Sequence, residues 1–323
     1  MKTELLSAAA IDTVDRTVEL LRNGEAVALP TETVYGLAAD AMREDAVLKI
    51  FQAKSRPRFD PLIVHVPEPD WVDRLAEVDN RARDAFEQLR KRFWPGPLTF
   101  IFPRRAVVPD IVTAGLETVA LRMSAHPIFS QIVGKFGGPV AAPSANRFGR
   151  ISPTTAGHVV EELDGLIPLV VDAGPTLHGV ESTIVALRND RIEVLRRGPV
   201  TEKELSAFGE ITVMGATSHP EAPGQLPTHY APRTKLVLID DATAFDAPPQ
   251  QRCGLLAWQA ISPASFAEVR MLSAHQDPVE AAKNLFRYLR ELDNASLDLI
   301  VAERIPDEGL GAAINDRLER AAI

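Results

Sequence analysis

The 323-residue chain has 46% hydrophobic and 24% charged residues, ordinary for a globular protein, and its length favours two domains over one. A formal charge of −9 argues against a protein whose main task is to hold nucleic acid through phosphates; the excess is uneven, with 27 Lys and Arg against 30 Asp and Glu in residues 1–235, and 8 against 14 in residues 236–323. No apolar run approaches the roughly 18 residues of a membrane span, and the N-terminus MKTELLSAAAIDTVD lacks the basic region and apolar core of a secretory signal, so a soluble, cytoplasmic protein is expected.

Residues 12–23 (DTVDRTVELLRN) open on an Asp suited to cap a helix, set Val14, Val18 and Leu21 on one face, and stop at Gly24. The strand AVALP follows, then a helix near DAVLKIFQAK, the strand PLIVHV, and helical segments from about Trp71 to Arg92. Next come LTFIF, TVALRM, a helix after Pro127, PVAAP, a helix over 154–163, IPLVVDAG, STIVAL and RIEVLRRG. Strands following one another without helices between them predict a mixed sheet with antiparallel pairs. From Glu210 the periodicity fades into a Pro- and Gly-containing stretch that holds LPTHYAP. Beyond it KLVLID, CGLLAW, a helix at 278–293, LDLIVAERI and the helix GAAINDRLERAA predict a smaller three-layer α/β unit. The expected organisation is a first domain at 1–210, a connecting segment at 211–235 and a second domain at 236–323. The single cysteine, Cys253, lies in a run that predicts a buried strand, which argues against a catalytic thiol.

Several stretches serve neither helix nor strand. LPTETVYGLAAD (29–40) carries Thr31, Glu32, Thr33, Tyr35 and Gly36. KSRPRFDP (54–61) alternates Lys54, Arg56 and Arg58, and APSANRFGRISP (142–153) offers Ser144, Asn146, Arg147 and Arg150. GVESTIVAL (179–187) supplies Ser182 and Thr183, and VLRRGP (194–199) supplies Arg196 and Arg197. Taken singly, such residues are solvated cations, turn formers and helix caps. Their gathering at strand ends of an acidic chain points instead to a cationic, hydroxyl-lined pocket of the kind a polyphosphate requires. No P-loop is present, and GLGAAI at 309–314 has Ile314 where a dinucleotide motif needs Gly or Ala. The seven histidines show no metal-site spacing, so no metal held by protein ligands is expected, and the lack of a G-x-S-x-G elbow leaves a serine hydrolase with little support.

In this order and spacing, PTETVYGL, K-x-R at Lys54 and Arg56 with PLIVH, WPGPLTF, LRMSAHP, S-x-N at Ser144 and Asn146, GVESTI, LRRGP and PTHYAP give a chain that resembles the threonylcarbamoyl-adenylate synthase family in its long, two-domain form. The resemblance implies a YrdC-like α/β domain, a twisted mixed sheet with helices around a basic cavity that is similar to double-stranded RNA-binding folds, joined to a Rossmann-like domain. It implies conversion of L-threonine, bicarbonate and ATP to threonylcarbamoyl-AMP and pyrophosphate, with Mg2+ accompanying ATP. Other proteins would then pass the product to the tRNA adenosine beside the anticodon.

By the same resemblance Lys54, Arg56, Arg58 and Arg196 serve the triphosphate, Ser144 and Asn146 the phosphate or carbamate region, and Thr113 the nucleotide. Thr31, His65, Arg122 and Ser182 serve threonine, with the guanidinium on its carboxylate. Alternatives stand for some of these: a structural salt bridge for Arg122, a hydrogen-bonded core position for His65, and structural roles for Glu32 and His126. Residues 211–235 are expected to fold back as a lid that brings Tyr230 to the nucleotide with His229 nearby, stiffened by Pro227 and Pro232; the bland alternative is that Tyr230 packs the connection against a domain. An RNA-binding module without turnover, and a related carbamoyl- or acyl-adenylate-forming enzyme, are the competing functions.

Overall fold

The computed structural model describes residues 2–215, 221–225, 229–248, 250–259 and 266–322. An eleven-stranded mixed sheet runs, edge to edge, β1 (Glu4–Ser7), β8 (Leu169–Asp172), β2 (Val27–Leu29), β3 (Gly36–Asp40), β7 (Val140–Ala141), β4 (Ile63–His65), β6 (Thr118–Arg122), β5 (Leu98–Pro103), β9 (Thr183–Arg188), β10 (Arg191–Arg196) and β11 (Glu210–Val213). Its helices are α1 (Thr13–Arg22), α2 (Glu44–Lys54), α3 (Trp71–Leu75), α4 (Asn80–Phe93), α5 (Asp110–Thr113), α6 (Pro127–Phe136), α7 (Ala156–Leu163) and α8 (Glu202–Leu205).

Strand alternation decides what each face meets. On one face Ala28, Leu37, Val64, Phe100, Leu121 and Val185 pack against α2, α4 and α7 through Ile50, Phe86, Leu89 and Val159. On the other, Val27, Leu29, Ala38 and Val140 meet α1 and α6 through Val18, Leu21, Phe129 and Ile132. Further along this second face the cover is different. Ile63, Ala120, Ile101, Ile184 and Leu195 cluster with Ala222, which comes from the segment connecting the domains. The side chains two residues on from Ile63 and Ala120, His65 and Arg122, therefore project on this same face, where the cavity lies.

A second sheet, all parallel, runs β12 (Leu236–Ile239), β15 (Leu299–Glu303), β13 (Cys253–Ala257) and β14 (Glu268–Met271). Helices α9 (Pro278–Asp293) and α10 (Leu310–Ala321) cover one face, and Phe245 and Phe266 lie against the other. The α9 and α10 face shares one apolar cluster with Val34, Ile151, Val180 and Tyr230, so the two domains meet at the mouth of the first domain's cavity. Among the described residues no helix is long and apolar enough to cross a membrane.

Three local expectations are corrected. Residues 36–40, read as irregular, form β3, because Gly36 through Ala39 are apolar and buried between β2 and β7. Glu210–Val213, read as the start of aperiodic chain, is an edge strand parallel to β10, so the connection begins later than residue 211. Strand β14 was not anticipated, since its residues are all half-buried at a sheet edge. The helical segments expected from Trp71 to Arg92 are α3 and α4, with Asp79 capping the second through Arg81 N–H.

Candidate active site

The cavity is lined by Thr31, Thr33, Val34 and Gly36 from the segment after β2, by Ile63 and His65 of β4, Arg122 of β6, Arg56 after α2, Ala142, Pro143 and Ser144 after β7, Glu181 before β9 and Arg196 of β10. Pro223, Gly224, His229 and Tyr230 of the connection close it. Its volume is about 50 Å3, room for a few waters, whereas sites for drug-sized ligands run to about 300 Å3 and more. Residues 216–220 and 226–228 of the expected lid, Pro227 among them, lie outside the described residues.

The cations converge from separate elements. Lys54 ends α2, where Ser55 in the left-handed region turns the chain, and its buried Nζ donates to the carbonyls of Ser144 and Asn146. Burial, and after it the charge of Arg56, push the Lys54 ammonium well below its ordinary value. Arg56 donates from Nε to Asp60 O (3.2 Å) and from Nη2 to Pro61 O (2.9 Å). Nη2 also lies 2.8 Å from Asp60 Oδ2, an ion pair lacking hydrogen-bond alignment, so neither carboxylate oxygen of that buried aspartate has a hydrogen-bond partner. Arg196 reaches this face through a register shift in the β9 and β10 pairing between Val194 and Arg196. It donates to Ser182 O (3.0 Å), Ser182 Oγ (3.0 Å) and Pro223 O (3.2 Å). Gly198, beyond it, has no room for a side chain: a Cβ would come within 2.5 Å of Glu181 O and Thr183 N.

At the other end Arg122 pairs with Glu32 at 2.7 Å, and Glu32 also accepts a hydrogen bond from Ser124 Oγ. Burial works against the Glu32 charge, but Arg122 and Ser124 outweigh it and hold the carboxyl at about 2. The structural salt bridge is thus present, and Arg122 still lines the cavity. His65 is buried against Phe129, ring centroids 4.8 Å apart, with Nδ1 unpartnered. Burial first, then Arg122, push it down to about 3, so its imidazole is neutral at ordinary pH. Thr31 Oγ1 donates to Val34 O at 2.6 Å and accepts from the N–H groups of Thr33 and Val34, folding the segment into a hydroxyl-lined turn.

Asn146 is buried with Nδ2 donating to the carbonyls of Arg147 and Arg150 and Oδ1 unpartnered. Ser182 sits one layer behind the wall, sharing a hydrogen bond with Thr99 Oγ1 at 2.8 Å. Lys54 and Asn146, like Ser182, do not line the cavity themselves and stand beside its wall; Arg58 is exposed, and Thr113 is buried in α5 with its hydroxyl on Asp110 O. Tyr230, at φ 65°, stacks on Phe286 of α9 with centroids 5.5 Å apart and lies 4.2 Å from the His229 ring. Burial, then Glu181, push its phenol up to about 12. Packing of the connection and lining of the cavity are therefore joined in one side chain.

Residues 19–198 match a family model described as "Telomere recombination", and residues 194–323 one described as "Threonylcarbamoyl-AMP synthase, C-terminal domain". A Bacillus subtilis threonylcarbamoyl-AMP synthase is 41% identical over 96% of this chain and 92% of its own length. One from Pyrococcus abyssi is 38% identical over 94% of this chain and 92% of its own.

The chain belongs to the threonylcarbamoyl-AMP synthase family.

A solved structure of Pyrococcus abyssi Sua5 complexed with L-threonine superposes with a TM-score of 0.89 at 35% identity, covering 100% of this chain and 98% of that one. Threonylcarbamoyl-AMP synthases are transferases of the nucleotidyltransferase type. Thr33, singled out in the sequence without a role, stands in the wall; Glu181, Pro223 and Gly224 in the wall, and Asp60 behind Arg56, were not picked out. Asp60 had a signal, the i, i+4 spacing from Arg56, and Glu181 lies inside the quoted GVEST. Arg317 of α10, which holds Glu181, had none.

Proposed function

We propose that the cavity binds L-threonine, bicarbonate and ATP together and forms threonylcarbamoyl-AMP with release of pyrophosphate. The carrying observation is the gathering of Arg56, Arg196, Arg122, Ser144, Thr31 and a neutral His65 in the wall of a single cavity, with Lys54 bonded to the carbonyls of Ser144 and Asn146 beside it. Arg122, already oriented by Glu32, takes the threonine carboxylate; Thr31 and His65 take its hydroxyl and amine end. The deprotonated amine attacks bicarbonate, water leaves, and the carbamate oxygen displaces pyrophosphate from the α-phosphorus of ATP. Lys54, Arg56 and Arg196 hold the phosphates as charge shifts toward the leaving pyrophosphate, catalysis by positioning and by fixed cations.

A carbamate decomposes in water, so closure belongs to the chemistry. The cavity's small volume and the placement of His229 and Tyr230 in its wall support a connection that lifts to admit substrates and returns with Tyr230 on the nucleotide. Mg2+ accompanies ATP as a counter-ion of the phosphates. Among the described residues no group of three or more His, Cys, Asp or Glu could hold a metal, so the side chains present do not fit a magnesium cage and no step is derived through the ion. We infer a cytoplasmic setting and transfer of the product to tRNA by other proteins.

Pyrophosphate release from the pure chain with ATP and bicarbonate tests the reading. Stimulation by threonine well above that by serine or by no amino acid is the expected result; equal rates would sink it.

A further inference from the structure

Among the described residues that line the cavity Glu181 is the single carboxylate, set in a wall that also carries Arg56, Arg122 and Arg196. A carboxylate there repels a polyanion and competes with it for guanidinium groups. Arg196 is within electrostatic range of Glu181, yet the two are not paired: Arg196 donates to Ser182 and Pro223 instead. Both Glu181 oxygens are occupied from elsewhere. Oε1 accepts from Ser152 Oγ, and Oε2 accepts from Arg317 Nε at 3.1 Å.

Arg317 stands on α10 of the C-terminal domain, 136 residues along the chain from Glu181, and is wholly buried. Its Nη1 donates to Asp316 Oδ2 at 3.0 Å, its Nη2 has no hydrogen-bond partner among the described residues, and its guanidinium carbon lies 5.5 Å from the centre of the Tyr230 ring. An apolar side chain of similar volume would fill this space without a buried charge or an unmet donor. The charge therefore calls for an electrostatic account.

We propose that Arg317 is a positioning residue supplied to the active site by the C-terminal domain: by holding Glu181 it keeps that carboxylate off Arg196 and leaves Arg196 to the phosphates of the nucleotide. The inference rests on the cavity being a phosphate site, as proposed above. Because the same guanidinium lies over Tyr230, withdrawal of α10 would loosen the connection and release Glu181 toward Arg196 together, so domain seating and phosphate affinity rise and fall as one.

Calorimetric titration of inorganic pyrophosphate into the full chain tests this, with wild type, Arg317→Met, Glu181→Gln and the double variant, each checked by circular dichroism and thermal melting. Arg317→Met should bind about tenfold more weakly or worse, Glu181→Gln at least as tightly as wild type, and the double variant within about threefold of wild type. A purely structural pair behaves otherwise: Glu181→Gln also weakens binding, and the double variant is no better than Arg317→Met. Either outcome overturns the proposal, as does a wild-type chain that binds no pyrophosphate. Should Arg317→Met fail to fold, weaker binding by Glu181→Gln alone overturns it and equal or tighter binding upholds it. Intact pyrophosphate binding with this pattern, but without threonine-dependent turnover, would remove the synthase reading and leave the charge arrangement standing.

Discussion

Lys54 is buried among carbonyl acceptors, beside Arg56, and held well below its ordinary value by burial first and that neighbouring charge second. A phosphate group arriving there supplies the opposite charge that burial denies, and so favours the ammonium. Pyrophosphate or nucleotide binding at a pH below the ordinary lysine value of 10.5 should then take up a proton, seen as a binding enthalpy that changes with the ionisation enthalpy of the buffer. Lys54→Met should abolish the uptake; uptake that persists in the variant would place the proton elsewhere. His65 differs in kind: at about 3 it stays neutral from pH 5 to 8, and its Nδ1 has no hydrogen-bond partner among the described residues. Its lowered value also makes native stability fall as pH drops from 6.5 toward 3, because only the unfolded chain takes that proton, at up to about 1.4 kcal/mol per pH unit. Much of this was legible, since Lys54, Arg56, Ser144, Arg122 and His65 stand in short stretches whose composition suits neither helix nor strand. The pairing of Arg317 with Glu181 was not, because nothing in a local pattern relates residues on two domains.

At the scale of elements, two close approaches set how the domains meet. Gly179, at φ +74°, sits so tightly under α9 that a Cβ would come within 2.5 Å of Ala282 O and Lys283 Cα. Gly174, at φ +77°, has nothing within 4 Å of its would-be Cβ. Gly179→Ala should therefore lower unfolding free energy by roughly 2 kcal/mol beyond Gly174→Ala, which carries backbone strain without the clash. Equal losses in urea unfolding would contradict the seating of α9 on this loop. Helix α9 was read from sequence with its ends at 278 and 293, because Asp277 caps it, Pro278 opens it and its apolar stripe is unbroken. Strands β3, β11 and β14 were not, since a buried apolar strand and two edge strands carry little alternation, and pairing partners supply what propensity does not.

Across the whole molecule, the C-terminal domain is the more acidic part of the chain, yet two of its arginines reach catalytic-domain carboxylates: Arg317 meets Glu181, and Arg290 meets Glu162 at 2.8 Å. The His229 N–H adds a bond to Arg320 O at 3.2 Å, which ties the connection to α10. Removing one partner of a buried pair of this kind costs about 3–5 kcal/mol, so the domain is bound to the cavity's rim by more than apolar contact. The second domain thus belongs to the site's architecture, holding Tyr230 by Phe286 and Arg317 on one side while the cavity holds it on the other. That the cavity makes threonylcarbamoyl-AMP is tested most directly by mass spectrometry of the reaction of the full chain with threonine, ATP and isotopically labelled bicarbonate. The account predicts an adenylate carrying both threonine and the labelled carbon, absent without threonine and lost in Lys54→Ala and Arg56→Ala chains that remain folded. An unlabelled threonyl-adenylate, or a labelled product made equally well by both variants, would contradict it.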